Sequence, residues 1–263
     1  MSLTDQYLDK CLALAERVRA QHSKILEAAE WFAGSILKGR VVHLFGSGHS
    51  RIMVEEMWPR YGSFPGFNPI VELSMTFHNL VTGANGQRQA MYIENMPGLA
   101  EKILRNFNLS ELDTALVISS SGTNIVPCEM AEIFRENKIK VVSIVTLDHL
   151  QKSESKRSDR KKLTDFSDLV LDNGAPAGDA MVRIDGMEAP VSPGSTVGSV
   201  LLINSIKAEL ANLLMLGGQP PNALVAACLA GAEKASHIFN EAYDEHATRM
   251  SRLYNFYKPI EIR

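Results

Sequence analysis

Two short segments hold the residue types from which a binding site could be built: Gly46-Ser47-Gly48-His49-Ser50 and Ser119-Ser120-Ser121-Gly122-Thr123-Asn124. Each follows a short apolar run and leads into a stretch with helical spacing. A strand-to-helix junction of this kind offers free backbone N–H groups at the positive end of a helix dipole. Gly46, Gly48 and Gly122 let the backbone come close to a ligand, and the hydroxyls of Ser47, Ser50, Ser119, Ser120, Ser121 and Thr123 add donors without charge. The natural guest of such a site is an anion, phosphate above all. The same residues can also serve only as tight turns and N-caps; it is the pairing of two such loops on one sheet edge that favours a ligand. Neither loop has the Gly-Lys-Ser/Thr of a nucleotide P-loop. A dinucleotide fingerprint is also absent, since Arg51 stands where its third glycine should be. No cofactor is expected.

Among titratable groups Glu94 stands out, three residues ahead of Pro97. It reads either as a dipole partner at a helix start or as a base that removes a proton alpha to a carbonyl, a task that burial would help by bringing its titration toward neutrality. His49 could bind phosphate, shuttle a proton or simply be exposed. His78 is a weaker candidate, and His43, inside an apolar run, reads as a core residue. His237, Glu241 and His246 lie on successive helical turns, too few ligands for a metal site. The mixed run Lys152–Lys162 reads as a solvated loop, or else as bases that attract an anionic substrate.

These residues need elements to hold them. Helical spacing covers Leu3–Lys38, with Gly39 as its C-cap. Val41–Phe45, Pro69–Leu73, Thr114–Ser119, Lys140–Val145 and Asp168–Leu171 read as strands. Helices are expected from the first loop to Trp58, from Pro97 to Phe107, from the second loop to Asn137 and from Thr196 to Leu216, with two more reaching Tyr257. Residues 61–95 otherwise read as irregular. A further strand is expected at Met181–Asp185, within a Gly- and Pro-rich stretch before Ser195-Thr196, either of which makes a good N-cap. Continuous apolar strands alternating with helices imply an α/β fold, a doubly wound parallel sheet covered on both faces. The division is N-terminal helices 1–38, sheet core 39–216 and C-terminal helices 217–263, all in one unit.

The chain has 263 residues, a net charge of −3 and 45% apolar residues. That balance argues against a nucleic-acid binder. Three scattered cysteines suit a reducing compartment. The N-terminal residues lack the basic-then-apolar pattern of a signal peptide, and the longest apolar stretch, Ala223–Gly231, is short for a membrane span. A cytoplasmic protein without a membrane partner is expected.

The paired loops resemble the SIS (sugar isomerase) domain over roughly residues 35–215, in a branch near the phosphoheptose isomerases and the N-acetylmuramic acid 6-phosphate etherases. Ser119, Ser121 and Gly122 match the family's second phosphosugar loop, and Asn124 stands where a hydroxyl is usual. Ser50 falls on the phosphate-binding serine of the first loop. The resemblance implies a five-stranded parallel sheet, a homodimer or higher homo-oligomer, and a sugar phosphate bound by Ser47, Gly48, Ser50 and residues 119–124, with Ser195 and Thr196 reaching the phosphate. Laid on the etherases, Glu94 falls on an acid/base glutamate and Arg60 on the position of the second one. The activity this implies is sugar-phosphate isomerisation without metal; the alternatives are an etherase-like lyase and a non-catalytic phosphosugar sensor.

Overall fold

The computed structural model describes residues 1–76 and 87–254. His78 and Tyr257 lie outside the described residues. Two helices, α1 (Leu3–Arg19) and α2 (His22–Leu37), precede β1 (Val42–Gly46). Lys38, not Gly39, is the C-cap of α2; Gly39, φ +73°, follows it and turns the chain toward β1. Then come α3 (Arg51–Met57), β2 (Phe67–Ile70), α4 (Gln87–Ile93), α5 (Leu99–Leu104), β3 (Thr114–Ile118), α6 (Ile125–Glu136), β4 (Lys140–Val145), α7 (Leu147–Lys152) and β5 (Leu169–Asp172). A hairpin of β6 (Ala180–Val182) and β7 (Val191–Pro193) leads into α8 (Ser195–Leu216), followed by α9 (Ala227–Ala230) and α10 (Ala232–Leu253).

The main sheet has five strands in the order β2-β1-β3-β4-β5. All its pairs are parallel, in registers such as Val42↔Thr114 and Thr114↔Lys140. Successive strand residues point to opposite faces, and both faces are buried. Leu44, Leu116, Ile118 and Ile144 pack with α2, α3 and α8 through Phe32, Val54 and Leu202. Phe45, Val117 and Val141 pack with α5 and α6 through Leu104 and Phe134. This double burial is why the strands read as unbroken apolar runs.

Several expectations change. α4 lies within the stretch read as irregular, and α7 follows β4 directly. The helix expected from Pro97 starts at Leu99 on Gly98, φ +80°, and ends at Leu104. The strand expected at Met181–Asp185 is the shorter β6, which pairs antiparallel with β7 outside the main sheet. Ala223–Gly231 is the longest unbroken apolar stretch, but α8 is the helix that is long and apolar enough to cross a membrane by length and composition among the described residues, with a mean hydropathy of 1.4. Asn204, Lys207, Glu209 and Asn212 interrupt its run and hide it from a scan for unbroken apolar residues. In the fold α8 is a packing helix, laid against α1, α2 and α3. Lys207, 5% exposed, donates to the Glu56 carbonyl at 2.6 Å near the end of α3, and burial pushes its ammonium down to about 8.

His43 is the core residue its position suggests. It is fully buried between Asn68, 3.0 Å from Nδ1, and Asp113, 3.2 Å from Nε2. Burial would raise the Asp113 carboxyl, but hydrogen bonds from His43 and Arg40 outweigh it and hold the group below its ordinary value.

Candidate functional site

In an open parallel sheet a crevice forms where the strand order reverses, outside the carboxyl ends of the strands. Here the chain leaves β1 toward β2 on one side and builds β3, β4 and β5 on the other. Both loops singled out by composition start at that point, and a cavity of about 430 Å³ lies between them.

In the first loop a Cβ on Gly46 would sit 2.6 Å from the Ser50 carbonyl oxygen. Glycine is what lets the chain fold back into the single turn Gly48–Ser50, in which Gly48 has φ +56°. Ser47, Gly48, His49 and Ser50 all line the cavity. In the second loop Ser119, Ser120, Ser121 and Asn124 line it. Gly122 and Thr123 lie behind that wall and shape it. Gly122 takes φ +62°, and a Cβ there would meet Leu150 at 2.6 Å. Its N–H donates to Ser119 Oγ at 3.2 Å, and the Thr123 hydroxyl donates to Ser121 Oγ at 3.1 Å. Asn124 is the N-cap residue of α6 but does not cap it with its side chain; the amide oxygen instead accepts from Lys156 Nζ at 2.6 Å.

The Lys152–Lys162 run is a largely exposed loop after α7, as its composition suggests, and it also braces the second loop. The Lys156 N–H donates to the Thr123 carbonyl at 3.1 Å, and the Leu163 N–H to the Gly122 carbonyl at 2.8 Å. Arg157 pairs with Glu132 and Asp159, each at 2.8 Å, and lies over the Phe166 ring. The segment bolts the second loop from behind and leaves the Lys156 charge near Glu94.

Glu94 joins the two loops. Its carboxylate accepts from Ser47 Oγ at 2.8 Å, and its carbonyl accepts from the Val126 N–H at 3.0 Å, in the first turn of α6. Asn95 Oδ1 accepts from the Ile125 N–H at 3.4 Å. Glu94 is not a dipole partner at a helix start. It follows the last residue of α4, its N–H donating to the Ala90 carbonyl, where a helix end disfavours a carboxylate. Burial raises its carboxyl above the ordinary value, and the Ser47 hydrogen bond and the Lys156 charge only partly offset this.

Ser195 and Thr196 also line the cavity, but the N-terminus of α8 is already occupied. Asp179 accepts from the Gly194 N–H at 3.0 Å, the Ser195 N–H at 2.6 Å and the Ser195 hydroxyl at 2.8 Å. The helix is capped from outside, on Gly194, and neither Ser195 nor Thr196 is its N-cap. The Ser195 hydroxyl is committed to that carboxylate. Asp179 and His149 are cavity residues that the sequence did not single out. His149 Nδ1 is buried with no hydrogen-bond partner among the described residues. The signal for it was its place: α7 begins at the carboxyl end of β4, on the same sheet edge as the two loops. Arg60 pairs with Glu56 and lines a different groove, beside Tyr61 and Phe239. Among the described residues no cluster of His, Cys, Asp and Glu suits a metal ion.

The sheet order and the hydroxyl-lined crevice define a doubly wound α/β protein with a candidate site at its switch point. Residues 6–146 match the SIS domain, and the chain belongs to that family. It is 30% identical over 250 residues to a UPF0309 protein of Thermoanaerobacter pseudethanolicus, covering 93% of this chain and 99% of the relative. A UPF0309 protein of Brucella abortus is 32% identical over 248 residues, covering 93% and 97%. Among solved structures, a phosphoheptose isomerase from Francisella tularensis aligns with a TM-score of 0.49 at 14% identity, over 80% of this chain and 96% of that one.

Proposed function

We propose that the cavity binds a sugar phosphate and that the protein isomerises it by proton transfer. The observation that carries this reading is the hydrogen bond from Ser47 to Glu94, which sets a carboxylate raised by burial beside the hydroxyls of two loops at helix N-termini. The phosphate would lie between Ser50 and Ser119–Ser121, its binding energy remote from the reacting carbons. Glu94 would take the proton from the carbon next to the carbonyl while His149 or His49 donates one to the carbonyl oxygen, giving an enediol. Transfer of the carboxyl proton to the former carbonyl carbon, with loss of the proton of the other enediol hydroxyl to the histidine ring, forms the new carbonyl and completes the exchange with no net change in atoms or electrons. Residues on this chain suffice for those steps. Asn124 does not offer the hydroxyl of the usual motif; its amide, already bound to Lys156, orients that ammonium at the rim.

The test is a thermal-shift screen against a panel of sugar phosphates. A ligand at 100 times its dissociation constant stabilises by about 2.7 kcal/mol. Replacing both Ser50 and Ser121 with alanine is expected to abolish the shift and leave the fold intact; an unchanged shift would overturn the site. For each ligand that binds, NMR in D₂O follows loss of the proton alpha to the carbonyl. Exchange in the wild type that falls by about 10²–10⁴-fold in Glu94→Gln supports isomerisation. Tight binding without any exchange would mean a phosphosugar sensor.

A further inference from the structure

A second cavity, of about 420 Å³, lies between α1 and the segment 174–190. It shares no residue with the candidate site. Three cations line it, Lys10, Arg17 and Arg183, and no carboxylate does. In a chain with a net charge of −3 such a cluster runs against the overall balance. Two of the cations are held by neutral acceptors: Lys10 Nζ donates to the Met181 carbonyl and Arg17 Nη1 to the Gly174 carbonyl. Among the described residues Arg183 has neither a hydrogen bond nor an ion pair. Asp148 lies within electrostatic reach of Arg17, but it is outside the lining and engaged by Lys152 at 2.7 Å and by the Ala177 N–H at 2.7 Å. Leu14, Met181 and Pro190 supply an apolar wall.

The wall is built close on purpose of backbone geometry. Gly174 has φ +76°, and a Cβ there would meet the Arg17 side chain at 3.0 Å. One residue earlier the Asn173 carbonyl abuts Gly198 of α8, where a Cβ would sit 1.9 Å away. The segment is thus pinned between α8 and the cationic side of α1, so its carbonyls hold Lys10 and Arg17 in place before any ligand arrives.

We propose that this cavity binds a small organic dianion, a phosphate monoester with an apolar body, as a site separate from the crevice at the switch point. Guanidinium groups present forked donors that match phosphate oxygens, and three cations facing no carboxylate favour a charge of −2. The apolar wall takes the body of the ligand.

The probe is phenyl phosphate, titrated calorimetrically into the Ser50→Ala/Ser121→Ala double variant, in which the crevice is disabled. The expected result is one binding event, weakened at least about tenfold, or 1.4 kcal/mol, by adding Arg183→Glu. Lys234→Glu, the same charge change on α10, is expected to leave the affinity unchanged. Arg183→Gln repeats the test without reversing the charge, and thermal melts confirm that each variant is folded. Absence of binding to the double variant, or equal loss in the Arg183 and Lys234 variants, would overturn the proposal. The outcome does not depend on whether the crevice itself takes a sugar phosphate.

Discussion

Glu94 carries a cost that shows in stability as well as in turnover. A carboxyl whose value is raised by burial binds its proton more tightly in the folded chain than in the unfolded one. Between the ordinary carboxylate value and the raised one the folded state therefore holds more protons, and stability falls as pH rises through that window. The penalty grows as pH rises through that window, and below the ordinary range of about pH 4 it is gone. Glu94→Gln keeps an oxygen to accept from Ser47 and removes the buried charge. We expect the variant to melt higher than the wild type at pH 7, with the gap narrowing as pH falls through that window and closed below about 4. Thermal denaturation across pH checks this, and a gap independent of pH would contradict it. The same sign governs activity: proton abstraction needs the carboxylate, so the rate should fall on the acid side at a pH above the normal range for a glutamate.

At the level of elements, α8 shows how close packing fixes the site. Its Gly198 has no room for a methyl group beside the Asn173 carbonyl, a backbone atom that cannot rotate away. Gly198→Ala should destabilise by at least about 1–3 kcal/mol, the usual effect of overpacking, seen as a lower denaturation midpoint; a neutral result would mean the segment after β5 shifts freely. How legible these elements were depended on their length. β4 falls at its expected bounds, and β1 and β3 fall within one residue of theirs, because strands buried on both faces and mostly apolar leave little ambiguity. α4 and α7, with seven and six residues, span less than two turns and cannot display a helical period. β7, three residues long, reads as loop. The two loops were legible because their composition is itself unusual. Asp179 was not, since it caps a helix that starts 16 residues later and no local pattern links them. His149 was not legible because it sits in the six-residue α7 after β4, where no glycine- and serine-rich segment marks the sheet edge.

For the molecule as a whole, α1 leaves Leu3, Leu8 and Leu12 exposed, Leu12 at 66%, although the helix is otherwise amphipathic. We propose that a second copy of the chain covers this surface, most simply about a two-fold axis. Light scattering should then show a species heavier than 29.0 kDa, and Leu8→Glu with Leu12→Glu should shift it toward that mass. A monomer at all concentrations would contradict the proposal. The crevice has one more consequence. Its lining is gathered from the turns after β1, β3 and β4, from the end of α4 and from the hairpin before α8, so that Ser47 and Thr196 meet across most of the chain. A molecule bound there acts as a cross-link tying remote parts of the polypeptide together. Its protection against hydrogen exchange should therefore extend to the amides of β1, β3 and β4 deep in the sheet, which open only when the whole structure opens, and not stop at the loops it touches.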